Sequence, residues 1–251
     1  MTTKILIGAD PELFVYTDKG KPVSAHDLLD GTKYDPFPVL NGAVQVDGVA
    51  AEFNIDPAET EYAFVANIKS VTDQMLQEIH KRRKDVLLKA TPTIKFTRMQ
   101  WSKIPEDAKL LGCEPDFSAY KPLVPNERPS TDKFMRTGSG HVHVSWSAPI
   151  VQNPSAQDYL KKCASLIWHF DTAFSKEMKK WDKDEERMEL YGKMGTFRPK
   201  KYGVEYRTLS NAWLNREDTM KYVFRTVKLC TEKWLEGCKP ASYDIPEYKG
   251  E

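Results

Sequence analysis

Residues 44–55 read VQVDGVAAEFNI. Apolar side chains flank Asp47-Gly48 on both sides, and that dipeptide favours a tight turn, so Val44–Val46 and Val49–Ile55 are expected to form a hairpin. Upstream, Lys4–Ile7 runs into Gly8 as a first strand that Leu13–Tyr16 continues, and Gly20, Pro22, Gly31, Pro36 and Pro38 mark the turn-rich stretch between. Downstream, Val65, Ile68, Val71, Met75, Leu76, Ile79 and Val86 recur at spacings of three and four, which predicts a helix over 59–89 with Thr60 as N-cap and Pro92 just past its end. The basic run Lys81-Arg82-Arg83-Lys84 falls in its last third. There a solvated face favoured by the helix dipole is the first reading, and a phosphate or nucleic-acid contact the second. Further strands are expected over 93–99, 141–146, around Phe197 and over 204–209, and further helices over 155–181 and 216–234. Residues 120–135, with three prolines, are expected to be a loop. Strands and helices mix without a regular βαβα rhythm, the pattern of an α+β fold. One domain over residues 1–240 and a loose tail over 241–251 account for the chain.

The chain has 251 residues, with 37 Lys+Arg against 36 Asp+Glu for a formal net charge of +1. That length buries a real core, and the balance of charge argues against general affinity for nucleic acid or membranes. No apolar run approaches the roughly 20 residues of a membrane-spanning helix, and the N-terminus lacks the apolar stretch of a signal peptide. Cys113, Cys163, Cys230 and Cys238 fall in no zinc-like spacing, as expected of thiols in a reducing, cytoplasmic setting. Trp181, Trp213 and Trp234 read as packing residues.

Polar chemistry collects in segments where acids, histidines and arginines occupy every second position, so that the pairs share a strand face. In GADPE, Asp10 and Glu12 would repel unless a cation lies between them, and Pro11 marks an edge or bulge; a turn capped by Asp10 is the alternative. Asp47 on its own suits a hairpin turn. Glu52 interrupts an apolar strand, and a buried carboxylate needs a partner or a metal. In RTGSGHVHVSW, His141 and His143 share a face, Gly138 and Gly140 would let the backbone approach a ligand, and Arg136 is placed for a phosphate or carboxylate. YGKMGTFRPKKYGVEYRTLSN brings Arg198, Lys200, Glu205 and Arg207 together with Arg187 upstream, and guanidinium groups suit phosphate oxygens. A surface ion pair of Glu205 with Arg207 is the plainer reading. Oxygen-rich ligation with imidazole fits Mg²⁺ or Mn²⁺ better than zinc. Neither a Walker A pattern nor a GxGxxG loop occurs, which removes the common nucleotide folds.

The ordered motifs GADPE, VDGVAAEFNIDPA, GCEPDF, RTGSGHVHV and YGKMGTFRPKKYGVEYRTLSN, spanning about residues 5–214, resemble the phage-encoded carboxylate–amine ligases of type 2, in the glutamine synthetase and glutamate–cysteine ligase superfamily. The resemblance implies an antiparallel sheet curved into a half-barrel, helices on its outer face, and ATP with Mg²⁺ or Mn²⁺ on its inner face. It implies one metal on Glu12, Asp47 and Glu52 and a second on Asp10, His141 and Glu205. His143 would lie near the phosphates, together with Arg136, Arg187 and Lys200, and Arg198, Glu205 and Arg207 would be catalytic. Glu114 and Asp116 of GCEPDF would contact the amine substrate or form a turn. The implied reaction joins a small-molecule or peptide carboxylate to an amine through an acyl-phosphate, in the cytoplasm of an infected bacterial host, and leaves a homo-oligomer open. A guanidino-kinase-like phosphotransferase and a non-catalytic nucleotide-binding relative are the alternatives on the same fold. Asp10 and Asp47 stand where glutamine synthetases carry longer acids.

Overall fold

A computed structural model describes residues 4–109, 116–127, 134–146 and 151–250. The chain is α+β, and its strand pairings are antiparallel throughout the described residues. One six-stranded sheet runs in the order Leu6–Ala9, Val142–Ser145, Gly203–Tyr206, Thr196–Lys200, Phe117–Ser118 and Lys121–Pro125. A second runs Pro22–Val23, Glu12–Thr17, Ala50–Ile55, Gly42–Asp47 and Phe37–Val39, with Val86–Lys89 also on Glu12–Thr17. Asp10-Pro11 is the break at which the chain leaves the first sheet and enters the second. Proline has no amide to give a ladder, and the flanking amides of Asp10 and Glu12 bond His141 O and Ser139 O instead, at 3.3 and 2.9 Å. The strands curl together into a half-barrel.

The expected hairpin forms, with Asp47 opposite Ala50 and Gly48 at φ 56°. That left-handed turn residue is the reason glycine follows Asp47. Helices Glu61–Arg82, Gln157–Glu177 and Glu217–Leu235 cover the apolar side of the sheets. Strand alternation sends Val142, Val144, Val204 and Tyr206 to that side, where the Tyr206 ring meets Phe170 and Phe174 at 5.4 and 6.0 Å. Trp213 is fully buried, while Trp181 and Trp234 pack partly buried on the same core. The cysteines Cys163 and Cys230 are free, buried and helical; Cys113 lies outside the described residues. No described helix is long and apolar enough to cross a membrane.

Several boundaries differ from expectation. The first long helix keeps its Thr60 cap, whose side chain accepts from the Ala63 amide, but it ends at Arg82 rather than near 89. Arg83 is extended, and Val86–Lys89 becomes a strand because its apolar residues complete the edge beside Glu12–Thr17. The basic run is a solvated face of ion pairs, Lys81 with Glu78, Arg82 with Asp30 and Arg83 with Asp85. The strand expected over 93–99 stops at Lys95, because Thr97 and Gln100 form a capping box for a short helix. The stretch 120–135 is not all loop, since Lys121–Pro125 is an edge strand. The polar segment before Lys193 holds a short helix, Glu185–Leu190, capped by Asp184. The described residues after 240 carry no helix or strand, yet Tyr243, Ile245 and Tyr248 pack against the core.

Gly138 and Gly140 serve a purpose other than ligand approach. A Cβ on Gly140 would lie 2.1 Å from Ser210 O and 2.5 Å from Trp213 Nε1, and one on Gly138 would lie 2.3 Å from Asn211 Nδ2. The glycines admit the 210–213 turn. Gly140→Ala is therefore expected to lower stability by about 1–3 kcal/mol through overpacking, read as a drop in the thermal midpoint. An unchanged midpoint would show that this turn can yield.

Candidate active site

Register places the polar residues in rows. His143 lies opposite Gly8 on one side and Glu205 on the other, and Glu205 lies opposite Arg198. Directly opposite residues project to one face of a sheet, here the face away from the helices. In the second sheet Glu12 lies opposite Glu52, which lies opposite Gln45. Two carboxylates directly opposite each other are unfavourable without a counter-charge.

Two groups of ligand atoms result. Asp10, His143 and Glu205 each place one such atom within 4.8 Å of the others, and so do Glu12, Asp47 and Glu52. Asp10 and Glu12 therefore do not act as one pair on a shared face; the Pro11 break assigns them to different groups. The residues fit divalent cations on their own chemistry. Asp10 Oδ1 and His143 Nε2 lie 2.9 Å apart, yet both are buried and neither makes an aligned hydrogen bond. Burial of such atoms is costly unless something binds them, and oxygen with imidazole suits Mg²⁺ or Mn²⁺.

The two groups differ in charge compensation. Burial pushes the Glu12 carboxyl up to about 7, with the Asp47 charge adding to the shift. Burial raises Asp47 and, further still, Glu52, where the charges of Asp10, Glu12 and Asp47 add. Gln45 Nε2 donates to Glu52 Oε2 at 3.0 Å, and the Ser139 amide donates to Glu12 Oε2 at 2.8 Å. The other group sits among cations. Burial opposes the Glu205 charge, but Arg207 chiefly, with His143, His141 and Lys200, holds it well below the ordinary carboxylate range. Burial likewise opposes Asp10, and His143 overcomes it. His143 is raised against its burial by Asp10, whereas burial and Arg207 press His141 down to about 4.

Arg207 is buried and donates to Glu205, to Asp116 Oδ2 at 3.2 Å and to the Tyr191 hydroxyl. Arg198 Nη1 lies 3.4 Å and Lys200 Nζ 2.7 Å from Glu205 Oε2. The plainer reading of Glu205 with Arg207 as a surface pair is thus corrected, because both are buried. The structure selects His143 for the compact group with Asp10 and Glu205. His141 sits beside it, its Nδ1 3.6 Å from Asp10 and 3.3 Å from Glu205.

Two expected ligand arginines stand elsewhere. Arg187 is wholly buried and donates to the carbonyls of Gly138, Thr208 and Leu209 at 3.1, 3.0 and 2.9 Å, so it ties the backbone behind the site together. Arg136 donates to the carbonyls of Met135 and Lys109 and lies over the Trp101 ring at 4.5 Å. Sequence reading did not single out Gln45, Tyr191 or Tyr202. Tyr202 occupies the turn between Thr196–Lys200 and Gly203–Tyr206, and its hydroxyl lies 2.6 Å from His143 Nδ1. A signal for Gln45 lay in its strand register opposite Glu52. The tyrosines had none, because aromatic residues at turns are common. Asp116 is an arginine partner, and Glu114 lies outside the described residues.

Beside the first group a cavity of about 420 Å³ opens, walled by Leu6, Ala9, Ile55, Pro57 and Tyr202 and reaching Asp10 and His143.

Over part of its length the chain is similar to enzymes that join a carboxylate to an amine. The matching family model is that of the Phage phiEco32-like COOH.NH2 ligase-type 2, over residues 172–246. The resemblance to these ligases drawn from the motifs is borne out by this match, which supports a ligase. The matched stretch includes Arg198, Glu205 and Arg207 and excludes the other members of both ligand groups. No curated protein matches the chain.

Proposed function

We propose that this chain is an ATP-dependent, divalent-metal-dependent carboxylate–amine ligase, organised like a small glutamine synthetase catalytic domain. The observation that carries this reading is the pair of three-ligand groups bordered on one side by Arg198, Lys200 and Arg207. Asp10, His143 and Glu205 would hold one cation, with His141 alongside, and Glu12, Asp47 and Glu52 a second. The cavity next to Asp10 has the size and apolar walls to take a nucleobase and its ribose.

In the proposed reaction a substrate carboxylate oxygen attacks the γ-phosphorus of ATP, the bond to the bridging oxygen breaks, and ADP leaves. The amine nitrogen then attacks the carbonyl carbon of the acyl-phosphate, inorganic phosphate departs, and the amine's proton passes to a base. Bound cations would neutralise phosphate charge in the first step. Arg198 and Arg207 are placed to stabilise the negative charge that develops on the transferred group. Glu205, Asp116 and Tyr191 hold the Arg207 fork in place, so little reorganisation is needed as that charge develops. Exclusion of water protects the acyl-phosphate from hydrolysis.

Calorimetry of Mg²⁺ and ATP binding to wild type and Glu12→Gln tests this. ATP is expected to bind wild type only with Mg²⁺, and the variant is expected to lose that binding while becoming more stable without the metal. The sign follows from linkage: a carboxyl raised to about 7 gives stability below its unfolded value of 4.5 that is lost as pH rises through 7. Relieving that penalty above pH 7 is worth on the order of 1–3 kcal/mol. ATP binding by wild type that ignores Mg²⁺, or Mg²⁺–ATP binding retained by the variant, would sink the two-metal reading.

A further inference from the structure

The compact group of Asp10, His143 and Glu205 needs the His143 ring in one orientation and one tautomer. Its Nε2 must present a lone pair to a cation shared with Asp10 Oδ1, which lies 2.9 Å away. A neutral imidazole offers that lone pair only when its proton sits on Nδ1. The group facing Nδ1 is the hydroxyl of Tyr202, at 2.6 Å, and the two rings lie 6.1 Å apart at 33°. Tyr202 is delivered to that point by the short turn after Lys200, the same hairpin whose strands carry Arg198 and Glu205. Part of the ring walls the cavity beside Asp10, and part is open to solvent.

We propose that Tyr202 is a positioning residue for a divalent cation: its phenol oxygen accepts the Nδ1–H of His143 and so fixes Nε2 toward Asp10 and Glu205. The hydroxyl does not touch the ion. It acts through the imidazole, as second partners of ligating histidines commonly do. A tyrosine suits the task where a carboxylate would not. The group already holds the charges of Asp10 and Glu205, and a further anion at Nδ1 would add repulsion to a buried site. The hydroxyl supplies an acceptor without a charge. This inference rests on the reading of Asp10, His143 and Glu205 as a cation site.

The test uses the whole chain and Mn²⁺ alone as probe. Mn²⁺ binding is measured by calorimetry and by paramagnetic resonance for wild type, Tyr202→Phe and, as a control in the same turn, Lys201→Ala. The binding step compared is the one that Glu205→Gln removes. Tyr202→Phe is expected to weaken that step by about 10- to 100-fold, and Lys201→Ala to leave it within about twofold. Imidazole nitrogen shifts, assigned to His143 with a His143→Asn variant, supply a readout that a merely structural role would not move. With Mg²⁺ bound, wild type is expected to show a hydrogen-bonded, slowly exchanging His143 Nδ1–H, and Tyr202→Phe to lose it. Equal Mn²⁺ affinity in wild type and Tyr202→Phe would overturn the role of Tyr202 and leave the cation site standing. A Mg²⁺-bound wild type whose His143 Nδ1–H exchanges freely would overturn it as well, without recourse to any variant at 202. Absence of Mn²⁺ binding by wild type would remove the cation site itself.

Discussion

Glu205→Gln is expected to abolish Mg²⁺-dependent ATP binding and, in the same protein, to lower the free energy of unfolding by about 3–5 kcal/mol. The carboxylate is fully buried and faces Arg207, Arg198, Lys200 and His141. Glutamine keeps the shape but leaves buried cations without their counter-charge, which is the costly way to break a buried ion pair. Chemical denaturation of wild type and variant, with and without Mg²⁺, reads both effects. The pH dependence has a definite sign. Glu205 is held below its ordinary value, so its stabilisation is present at neutral pH and is lost only as pH falls through that depressed value. The variant should therefore differ most from wild type at neutral pH and converge with it in strong acid. A variant as stable as wild type at pH 7 would mean that the surrounding cations find other partners. The contrast with Glu12→Gln is informative, since one acid is held by cations and the other is crowded by acids.

Arg187→Met is expected to lower stability clearly although Arg187 lies outside the ligand groups. Three guanidinium nitrogens bond three backbone carbonyls, and none of these groups is near water. Leu209 O keeps the Gly140 amide at 3.0 Å and Gly138 O the Asn211 amide at 3.3 Å, so the Thr208 carbonyl is the one left without its donor, at about 1–3 kcal/mol. Even that single loss is a sizeable share of the roughly 5–15 kcal/mol that holds a domain folded. Gly192 belongs to the same arrangement, because a Cβ there would lie 2.6 Å from Arg187 Nη1. Circular dichroism melting of Arg187→Met, beside Arg187→Lys, measures the loss. Lysine keeps the charge but cannot span three carbonyls, so it too should melt well below wild type. If both variants melt as wild type does and only nucleotide binding suffers, Arg187 grips a ligand, as the family resemblance implied.

The acids of the site were legible because strands expose them to a simple rule. Glu52 in an apolar strand, the histidines at 141 and 143 and the alternation of Glu205 with Arg207 each mark one face of a strand whose other face is core. Glu12, Asp47 and Glu52 do come together, as the family resemblance implied. What was not legible depended on partners distant in sequence. Arg187 looks like any arginine until the carbonyls of residues 138, 208 and 209 are in place around it. Gly138 and Gly140 read as room for a ligand, and the space is filled by the 210–213 turn. His143 rather than His141 joins Asp10 and Glu205 because cross-strand register, which local sequence does not encode, sets it opposite Glu205. The helix end at Arg82 was hidden because Val86 continues the helical spacing of apolar residues while the chain has already turned into a strand.

The two ligand groups also differ in how far along the chain they must be gathered. Glu12, Asp47 and Glu52 all come from the paired strands between residues 12 and 55, whereas Asp10, His143 and Glu205 come from the start, middle and end of the domain. Closing short loops costs less entropy than closing long ones, so the crowded acids can meet while the chain is still largely open. The arginines and lysine that neutralise Glu205 lie within residues 198–207 of its own hairpin, so only Asp10 and His143 wait for distant strands to dock. Short closures thus suffice both for the repulsion among the crowded acids and for the neutralisation of Glu205, and connectivity leaves the union of Asp10, His143 and Glu205 as the long-range step.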